Sequence, residues 1–197
     1  MSSPYSGRPI KLYVGRGEKF YVPEKIACQI TSLAEHRDES DYQVARFPEI
    51  DDFVAHTLVH YLYTGGYQAL AQTSRCDEEK LKYKISLLAY HAGLQCGLEG
   101  LAEQAKERMR TLDVNIPILD IISLARKHFP QITEDEWLSE YLTAKISQSF
   151  EAEEDFFLQD GFFSDFGEAP EFDKFLGKVV AKAFAQKISS KIGRAHV

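Results

Sequence analysis

The first hundred residues alternate short strand-like patterns with helical ones. From Ile10 to Val22, apolar and polar side chains alternate on both sides of a glycine-containing turn, which predicts a β-hairpin. Pro23 can occupy the first turn of a helix, so a short helix is expected over EKIACQI. The stretch YQVARF then has the composition of a third strand. Asp51 or Asp52 can cap the helix that follows, because a carboxylate there accepts the free amide hydrogens of the first turn.

The helix over HTLVHYLYTGG carries a mixed pattern. One side is predicted to be the core side, formed by Val54, Leu58, Tyr61 and Leu62. His56 and His60 lie four residues apart and roughly opposite that side. Gly65 or Gly66 is expected to end the helix, because glycine adopts the left-handed backbone conformation without a Cβ clash.

The rest of the chain is predicted to be helical. Two helices joined by a very short turn at Gly97 should pack as a pair, with apolar stripes at Leu81, Ile85, Leu88 and Ala92 and at Leu98, Leu101, Ala102, Ala105 and Met109. Pro117 can begin a helix carrying Ile118, Ile121, Ile122 and Ala125. A capping box at 133–136 precedes a helix with Trp137, Tyr141, Leu142 and Ile146, and a last stripe runs through Phe172, Leu176, Val179, Val180 and Phe184.

Composition narrows the possible functions. The chain has 197 residues and a net charge of −7, enough length to bury a core without disulfides. No apolar run approaches the ~20 residues of a membrane helix, so no membrane contact is expected. The three cysteines are an odd number without C-x-x-C spacing, which favours a reducing compartment, cytoplasmic or nuclear. There is no strong basic excess, so nucleic acid is not an expected partner.

The acidity of the chain is concentrated in one segment. Residues 151–173 contain nine acidic and no basic residues, and seven of the thirteen phenylalanines lie between Phe156 and Phe175. Such a mixture is typical of disordered activation segments, in which charge keeps aromatic side chains in water until a partner buries them. The alternative is that the phenylalanines pack on the neighbouring helices while the acids face solvent, and this alternative is preferred. A basic partner surface docking on the acids is a third reading.

Two sets of residues are candidates for metal binding or catalysis. His56 and His60 have the spacing of zinc ligands on adjacent turns, with His91 or Cys96 to complete a set. No glutamate stands in an H-E-x-x-H arrangement, so an interface histidine pair is preferred and no metal or cofactor is predicted. Cys96 precedes Gly97 at a turn, where partial exposure and a helix start would lower the pKa of its thiol. Nothing in the sequence identifies an orienting base, so no catalytic residue is predicted and the chain is not expected to be an enzyme.

Several short sequence motifs resemble those of a known family. FYV, the Ile26-Ala27-Cys28 helix, FPEIDDFVAHTLVHYLYTGGY and LLAYHAGLQCGLEGLAEQA resemble a BTB/POZ domain of the fungal type with a C-terminal helical extension. The resemblance implies an α+β fold, with a small β-sheet flanked by α-helices followed by an all-helical extension. Pro9 and Pro23 stand where many members have Asp and His, which bears on dimerisation. The expected divisions are a flexible leader 1–9, the domain 10–110, the extension 111–190 with the acidic segment 151–173, and an adapter-derived artefact 191–197.

The resemblance also implies a function. BTB/POZ domains bind proteins, so we expect a self-associating homodimer that acts as an adaptor or scaffold, with a cullin-type ubiquitin ligase as one expected setting. The alternative is a transcriptional or signalling scaffold that uses the acidic Phe-rich segment, and a zinc- or cysteine-dependent enzyme is a distant third. The residues expected to bind protein partners are Leu33, Glu35, Phe53, His56, His60, Phe156, Phe157, Phe162 and Phe163.

Overall fold

The computed structural model divides the chain into two compact units. Unit 1 is Met1–Asn115 and unit 2 is Ile116–Val197. The structure describes residues 7–70, 78–130, 132–153, 155–159, 161–163 and 165–194. It is mostly helical with one small three-stranded sheet, which confirms the predicted α+β class.

The sheet of unit 1 is built on the predicted hairpin. Its strands are β1 (Pro9–Val14), β2 (Glu18–Pro23) and β3 (Val44–Phe47), in the order β2-β1-β3. β1 is antiparallel to β2 and parallel to β3, and Pro9 pairs with Pro23 at the open end of the hairpin. The alternation seen in the sequence has a clear cause, because Ile10, Leu12 and Val14 are buried on one face of β1.

Short helical segments connect the sheet to the longer helices of unit 1. They are α1 (Glu24–Ala27), a 3₁₀ turn (Thr31–Ala34), a 3₁₀ turn (Asp52–Val54) and α2 (Ala55–Thr64). The Asp51 side chain caps the turn into α2 by accepting a hydrogen bond from the Phe53 amide at 3.0 Å. Gly65 ends α2 with φ of 70°, as the glycine rule predicts.

A closely packed helical pair completes unit 1. It consists of α3 (Glu78–Cys96) and α4 (Glu99–Leu112), followed by a 3₁₀ turn at Asp113–Asn115. The predicted stripe of α4 is confirmed, since Leu101, Ala102, Ala105 and Met109 are all buried. The single stripe expected for α3 is too narrow, because every residue from Ile85 to Tyr90 is buried. α3 is therefore a central helix with neighbours on most sides.

The described residues of unit 2 form helices joined by turns and contain no strand. Its helices are α5 (Ile118–His128), α6 (Glu136–Ala152) and α7 (Pro170–Arg194), with 3₁₀ turns at Ile132–Glu134 and Phe156–Leu158. The predicted capping box is wrong in its first residue, because Asp135 and not Thr133 caps α6. The Asp135 carboxylate accepts a hydrogen bond from the Leu138 amide at 2.9 Å. The 3₁₀ turn takes up Thr133, so the helix begins later than the motif suggests.

The core of unit 2 is aromatic as well as aliphatic. The buried residues of α6 are Leu138, Leu142, Ile146 and Phe150. The Phe150 and Phe157 rings stack with centroids 4.5 Å apart. Buried side chains of this size each contribute about 1.5–3 kcal/mol to folding, so the phenylalanines are a main source of stability in this unit.

Both ends of the chain extend past the described residues. Residues 1–6 of the predicted leader lie outside them, and Pro9, its last residue, already belongs to β1. The α7 backbone runs to Arg194, so only residues 195–197 of the expected artefact lie outside them. No helix in the described part of the chain is long and apolar enough to cross a membrane.

Candidate functional site

Four ring-bearing side chains lie on one side of α2 and the turn before it. Phe53, His56, His60 and Tyr63 are spaced three or four residues apart, which places them along one line of the helix surface. Phe53 is 56% exposed and Tyr63 is 37% exposed, whereas both histidines are half-buried. The two imidazole rings stack with centroids 5.8 Å apart. We call these four residues the α2 ring face.

The α2 ring face is held in place by the buried opposite side of α2 and by contacts of Phe53. Val54, Leu58 and Leu62 are buried on the opposite side of the helix, as the sequence predicts. Tyr61, which was predicted on the same core side, is only half-buried. Phe53 is held at its backbone by the Asp51 cap, and the Lys84 ammonium of α3 lies 4.4 Å from the centroid of its ring. Phe53 is therefore exposed because of its position in a capped turn and not because that turn is frayed.

The sheet edge adjoins the end of the α2 ring face. The Tyr63 hydroxyl donates a hydrogen bond of 3.2 Å to the Tyr21 carbonyl oxygen of β2. Tyr21 is itself 56% exposed, and the Lys19 ammonium lies 5.1 Å from the centroid of its ring. A hydrogen bond with Lys19, helped by the charge of the ammonium, lowers the pKa of Tyr21. The exposed aromatic surface thus continues from α2 onto β2.

The histidine pair is not part of a metal-ligand cluster. His56 Nε2 lies 3.5 Å from the side-chain oxygen of Gln68. Within the described ranges, no three histidine, cysteine, aspartate or glutamate side chains lie close enough together to hold a metal ion. The set of His56, His60, His91 and Cys96 considered from the sequence is therefore not assembled.

The environment of Cys96 is opposite to that of a reactive thiol. Its side chain is fully buried at the end of α3, and burial raises the pKa of its thiol to about 12. The expectation of partial exposure with a lowered pKa is wrong, because the Cys96 side chain is in the core and the adjacent Gly97 lies against Thr31. Cys28 is exposed, and both cysteines are free thiols.

The two partner-binding residues expected before β3 have different environments. Leu33 is 4% exposed, so its assignment to a partner surface is wrong. It lies in the 3₁₀ turn Thr31–Ala34, where its side chain fills the core. Glu35 follows that turn and is exposed. The short hydrophobic-x-acid pattern contains one core residue and one surface residue.

The phenylalanines of the acidic segment also divide into two groups. Phe156, Phe157 and Phe162 are buried, so their assignment as partner-binding residues is wrong. Their rings contact one another with centroid separations of 5.1 to 5.4 Å. Phe163 and Phe166 remain exposed at 47% and 48%. The described part of this segment is folded onto unit 2, as the preferred sequence interpretation expects.

A buried ion cluster was missed in the sequence. Arg126 of α5 is 5% exposed and Asp173 of α7 is 4% exposed. Arg126 Nη2 lies 3.1 Å from Asp173 Oδ1, and Nη1 lies 3.6 Å from Asp165 Oδ2. The signal was present, because Arg126 falls four residues after Ile122 on the buried stripe of α5. A charge on such a stripe requires a buried partner.

A cavity of about 500 Å³ opens in unit 1 beside Tyr67. Burial raises the pKa of the Tyr67 hydroxyl, which lies 3.0 Å from Ser86 Oγ. Gln104 accepts a hydrogen bond from the Tyr67 amide and donates one to the Gly65 carbonyl. These groups hold the chain that leaves α2, so their polarity has a structural use. The lining residues are Tyr67, Gln68, Ala69, Lys82, Gln104, Glu107, Arg108 and Thr111.

Two protein-family models match successive parts of this chain. The family model for the HAC6 N-terminal domain matches residues 22–116, and the one for the HAC6 small helical domain matches residues 117–191. Two subtelomeric hrmA-associated cluster proteins, from two strains of Aspergillus fumigatus, are each 27% identical over 169 residues, or 84% of this chain. The chain spans only 43% of the length of these curated relatives. No solved structure matches it.

These comparisons correct the family predicted from the sequence. The BTB/POZ assignment is wrong, because the matching models are the two HAC6 domains and no BTB/POZ family matches. The ubiquitin-ligase role was implied by the BTB/POZ resemblance, so it is wrong for the same reason. The fungal origin of the relatives is consistent with the expected fungal type.

Proposed function

We propose that this chain is a protein–protein interaction module that associates with itself through the α2 ring face. The supporting observation is the line of Phe53, His56, His60 and Tyr63, which leaves aromatic ring surface in contact with water on a helix whose other side is buried. Aromatic side chains are enriched in the buried centres of protein interfaces. A second copy provides an equivalent face, and two such faces can pair about a two-fold axis.

The size of α2 sets a requirement on the interface. Ten residues of helix are about 15 Å long, which is less surface than a stable dimer needs, since specific interfaces bury about 1,200–2,000 Å² in total. The exposed Tyr21 of β2 adjoins the face through Tyr63 and extends it. The proposed interface therefore includes both α2 and the edge of the sheet.

Sedimentation velocity of the full chain over about 1 to 100 μM tests this proposal. We expect a reversible dimer whose dissociation constant rises at least about tenfold in the double variant Phe53→Ser/His60→Ser. Tyr42→Ser is the matched control, because Tyr42 is 71% exposed in the same unit and belongs to the turn before β3, outside the α2 ring face. A monomer at all concentrations, or equal dimerisation of the double variant and wild type, would overturn the proposal.

A scaffold in transcription or signalling is the second candidate function. It is favoured by the exposure of Phe163 and Phe166 within a segment whose nine charged residues are all acidic. Affinity purification of the tagged chain from its native cells tests this candidate. Chromatin or signalling proteins that are lost from the variant Phe163→Ser/Phe166→Ser would support it, and an unchanged set of bound proteins would count against it.

Action in the cytoplasm or nucleus is part of the same proposal. The two described cysteines are free, and one of them is a buried thiol without a disulfide partner. Free thiols of this kind are usual in reducing compartments. Fluorescence microscopy of the tagged chain would contradict this placement if the signal followed the secretory pathway.

A further inference from the structure

Two exposed phenylalanines of unit 2 form a small aromatic ridge. The rings of Phe163 and Phe166 meet edge to face, with centroids 5.4 Å apart and an interplanar angle of 67°. Each side chain is about half exposed, and the Phe163 ring also contacts the buried Phe162 ring at 4.8 Å. We call Phe163 and Phe166 the Phe ridge. It is an apolar surface seated directly on the core of the unit.

Hydrogen bonds fix the backbone that carries the Phe ridge. The Phe166 amide donates a hydrogen bond of 3.1 Å to the Phe163 carbonyl oxygen, which closes a turn between the two rings. The Gly167 amide donates one of 2.7 Å to Asp173 Oδ2. Asp165, between the two phenylalanines, pairs with the buried Arg126 guanidinium. The turn is therefore tied to the interior on both sides of Phe166.

The buried ion cluster of Arg126, Asp165 and Asp173 indicates that the position of the Phe ridge is specific. Desolvating Arg126 and Asp173 opposes folding before their mutual attraction offsets that cost, so apolar residues could supply stability equally well. A buried guanidinium instead imposes a defined geometry on its carboxylate partners. Here it imposes that geometry on the turn that presents the two exposed rings.

The surroundings of the Phe ridge carry negative charge. Glu168 and Glu171 are exposed, and each lies within five residues of Phe166. Lys174 lies 3.7 Å from Glu171 in a solvent-exposed pair, so it offsets one of these two negative charges. Between residues 151 and 173 the sequence offers no basic side chain. A partner that covers the ridge must tolerate, and gains from, an anionic rim.

We infer that the Phe ridge is the docking site for a basic amphipathic peptide segment of a partner protein. Apolar side chains of that segment cover the Phe163 and Phe166 rings, while its lysines or arginines pair with Glu168 and Glu171. Cations can also lie over the ring faces, which adds attraction of a kind that an acidic or neutral peptide lacks. This site is in unit 2 and goes beyond the proposed self-association through unit 1.

A designed peptide provides a direct probe of the ridge. An 18-residue fluorescein-labelled helix with leucines on one face and lysines on the other carries the predicted chemistry, and fluorescence anisotropy measures its binding to the full chain. We expect saturable binding that weakens at least about tenfold in Phe163→Ser/Phe166→Ser. It should weaken several-fold in Glu168→Gln/Glu171→Gln and fall as salt is raised.

Three comparisons make the test decisive. Ile188→Ser removes a 58% exposed aliphatic side chain elsewhere in unit 2 and should leave binding unchanged. The Phe53→Ser/His60→Ser variant should bind the peptide normally, which separates this inference from the proposed dimerisation. A peptide with glutamates in place of the lysines should not bind. Equal binding of both peptides, or full binding by the ridge variant, would overturn the inference, as would a ridge variant that loses self-association instead.

Discussion

Gly93 of α3 and Ala102 of α4 are in direct backbone contact. A Cβ atom built on Gly93 would stand 2.8 Å from the Ala102 amide nitrogen and 3.1 Å from its Cα. No side chain at position 93 can relieve this contact by rotating, because the obstacle is main chain. The helical pair of unit 1 therefore depends on having hydrogen in place of a side chain at this crossing.

The first prediction follows from that contact. Gly93→Ala forces α3 and α4 apart and should lower the free energy of unfolding by about 1–3 kcal/mol. Urea unfolding followed by far-UV circular dichroism measures the change. The control is Gly177→Ala on α7, where an added Cβ meets nothing within 4 Å. That change should stabilise the chain by up to about 1 kcal/mol, since alanine favours a helix. Equal effects of the two substitutions would contradict the close approach.

The second prediction concerns the buried ion cluster. Arg126→Met leaves the Asp173 carboxylate buried and without its guanidinium partner, and should cost about 3–5 kcal/mol. Trp137 is the only tryptophan of the sequence, so its fluorescence during urea unfolding reports on unit 2. The double variant Arg126→Met/Asp173→Leu removes both charges and should recover most of the loss. Additive losses in the double variant would show that the two side chains are not coupled.

The third prediction distinguishes two candidate caps of α6. Asp135→Ala removes the acceptor for the Leu138 amide and should cost about 1 kcal/mol. Thr133→Ala, at the first residue of the sequence motif, should change the unfolding free energy by less than about 0.5 kcal/mol, because Thr133 is exposed. Tryptophan fluorescence of both variants in urea measures the difference. The reverse order of effects would favour the capping box as the sequence suggested it.

The fourth prediction uses the thiols. At pH 8, iodoacetamide should modify the exposed Cys28 rapidly and leave the buried Cys96 unmodified until the chain is unfolded, since the thiolate is the reactive form. Peptide mass mapping distinguishes the two sites. Equally rapid modification of Cys96 and Cys28 in the folded chain would contradict the burial of Cys96.

The same thiol has a consequence at alkaline pH. Because the folded pKa of Cys96 is about 12 against an ordinary value of 9.0, the folded state keeps its proton where the unfolded state has lost it. The contribution of Cys96 to the free energy of unfolding is complete below pH 9. As the pH rises toward 12 this contribution is lost, by up to about 1.4 kcal/mol per pH unit. Urea unfolding between pH 8 and 10 should therefore show a shallower decline in Cys96→Ala than in wild type. Identical slopes would refute this.

Local patterns in the sequence predict the elements of unit 1 well. The hairpin, the third strand and the end of α2 at Gly65 each depend on residues close together in the chain, and each is confirmed. The division of α2 into a buried side and a histidine side is confirmed for the same reason, except that Tyr61 is half-buried. α3 is the exception, because a helix buried on most sides has no contrast between faces for a periodicity argument to detect.

The family could not be identified from these patterns. The order of elements is a hairpin, a short helix, a strand and a run of helices. The need to bury apolar faces is enough to favour such an order, so the pattern indicates the α+β class and not a particular family. The sequence motifs that resemble BTB/POZ domains largely coincide with core and turn positions, such as Leu62 and Gly65. Residues with such general structural uses occur in unrelated families.

The candidate interaction surfaces were only partly predictable. Phe53 was correctly placed on the surface, whereas Phe156, Phe157 and Phe162 were not. Composition shows that a segment mixes acids with phenylalanines, but which rings enter the core depends in part on contacts distant in sequence, such as that of Phe157 with Phe184 of α7. The pairing of Arg126 with Asp173, 47 residues apart, is hidden from any local pattern for the same reason.

The Arg126–Asp173 pair also constrains how this chain can evolve. A substitution at Arg126 or Asp173 alone leaves an unpaired charge buried in unit 2. Because proteins are only marginally stable, the loss of stability from such a single substitution is large enough to be selected against. Drift at these two positions should therefore be concerted. Among relatives, position 126 is expected to lose its arginine only where position 173 has lost its aspartate as well.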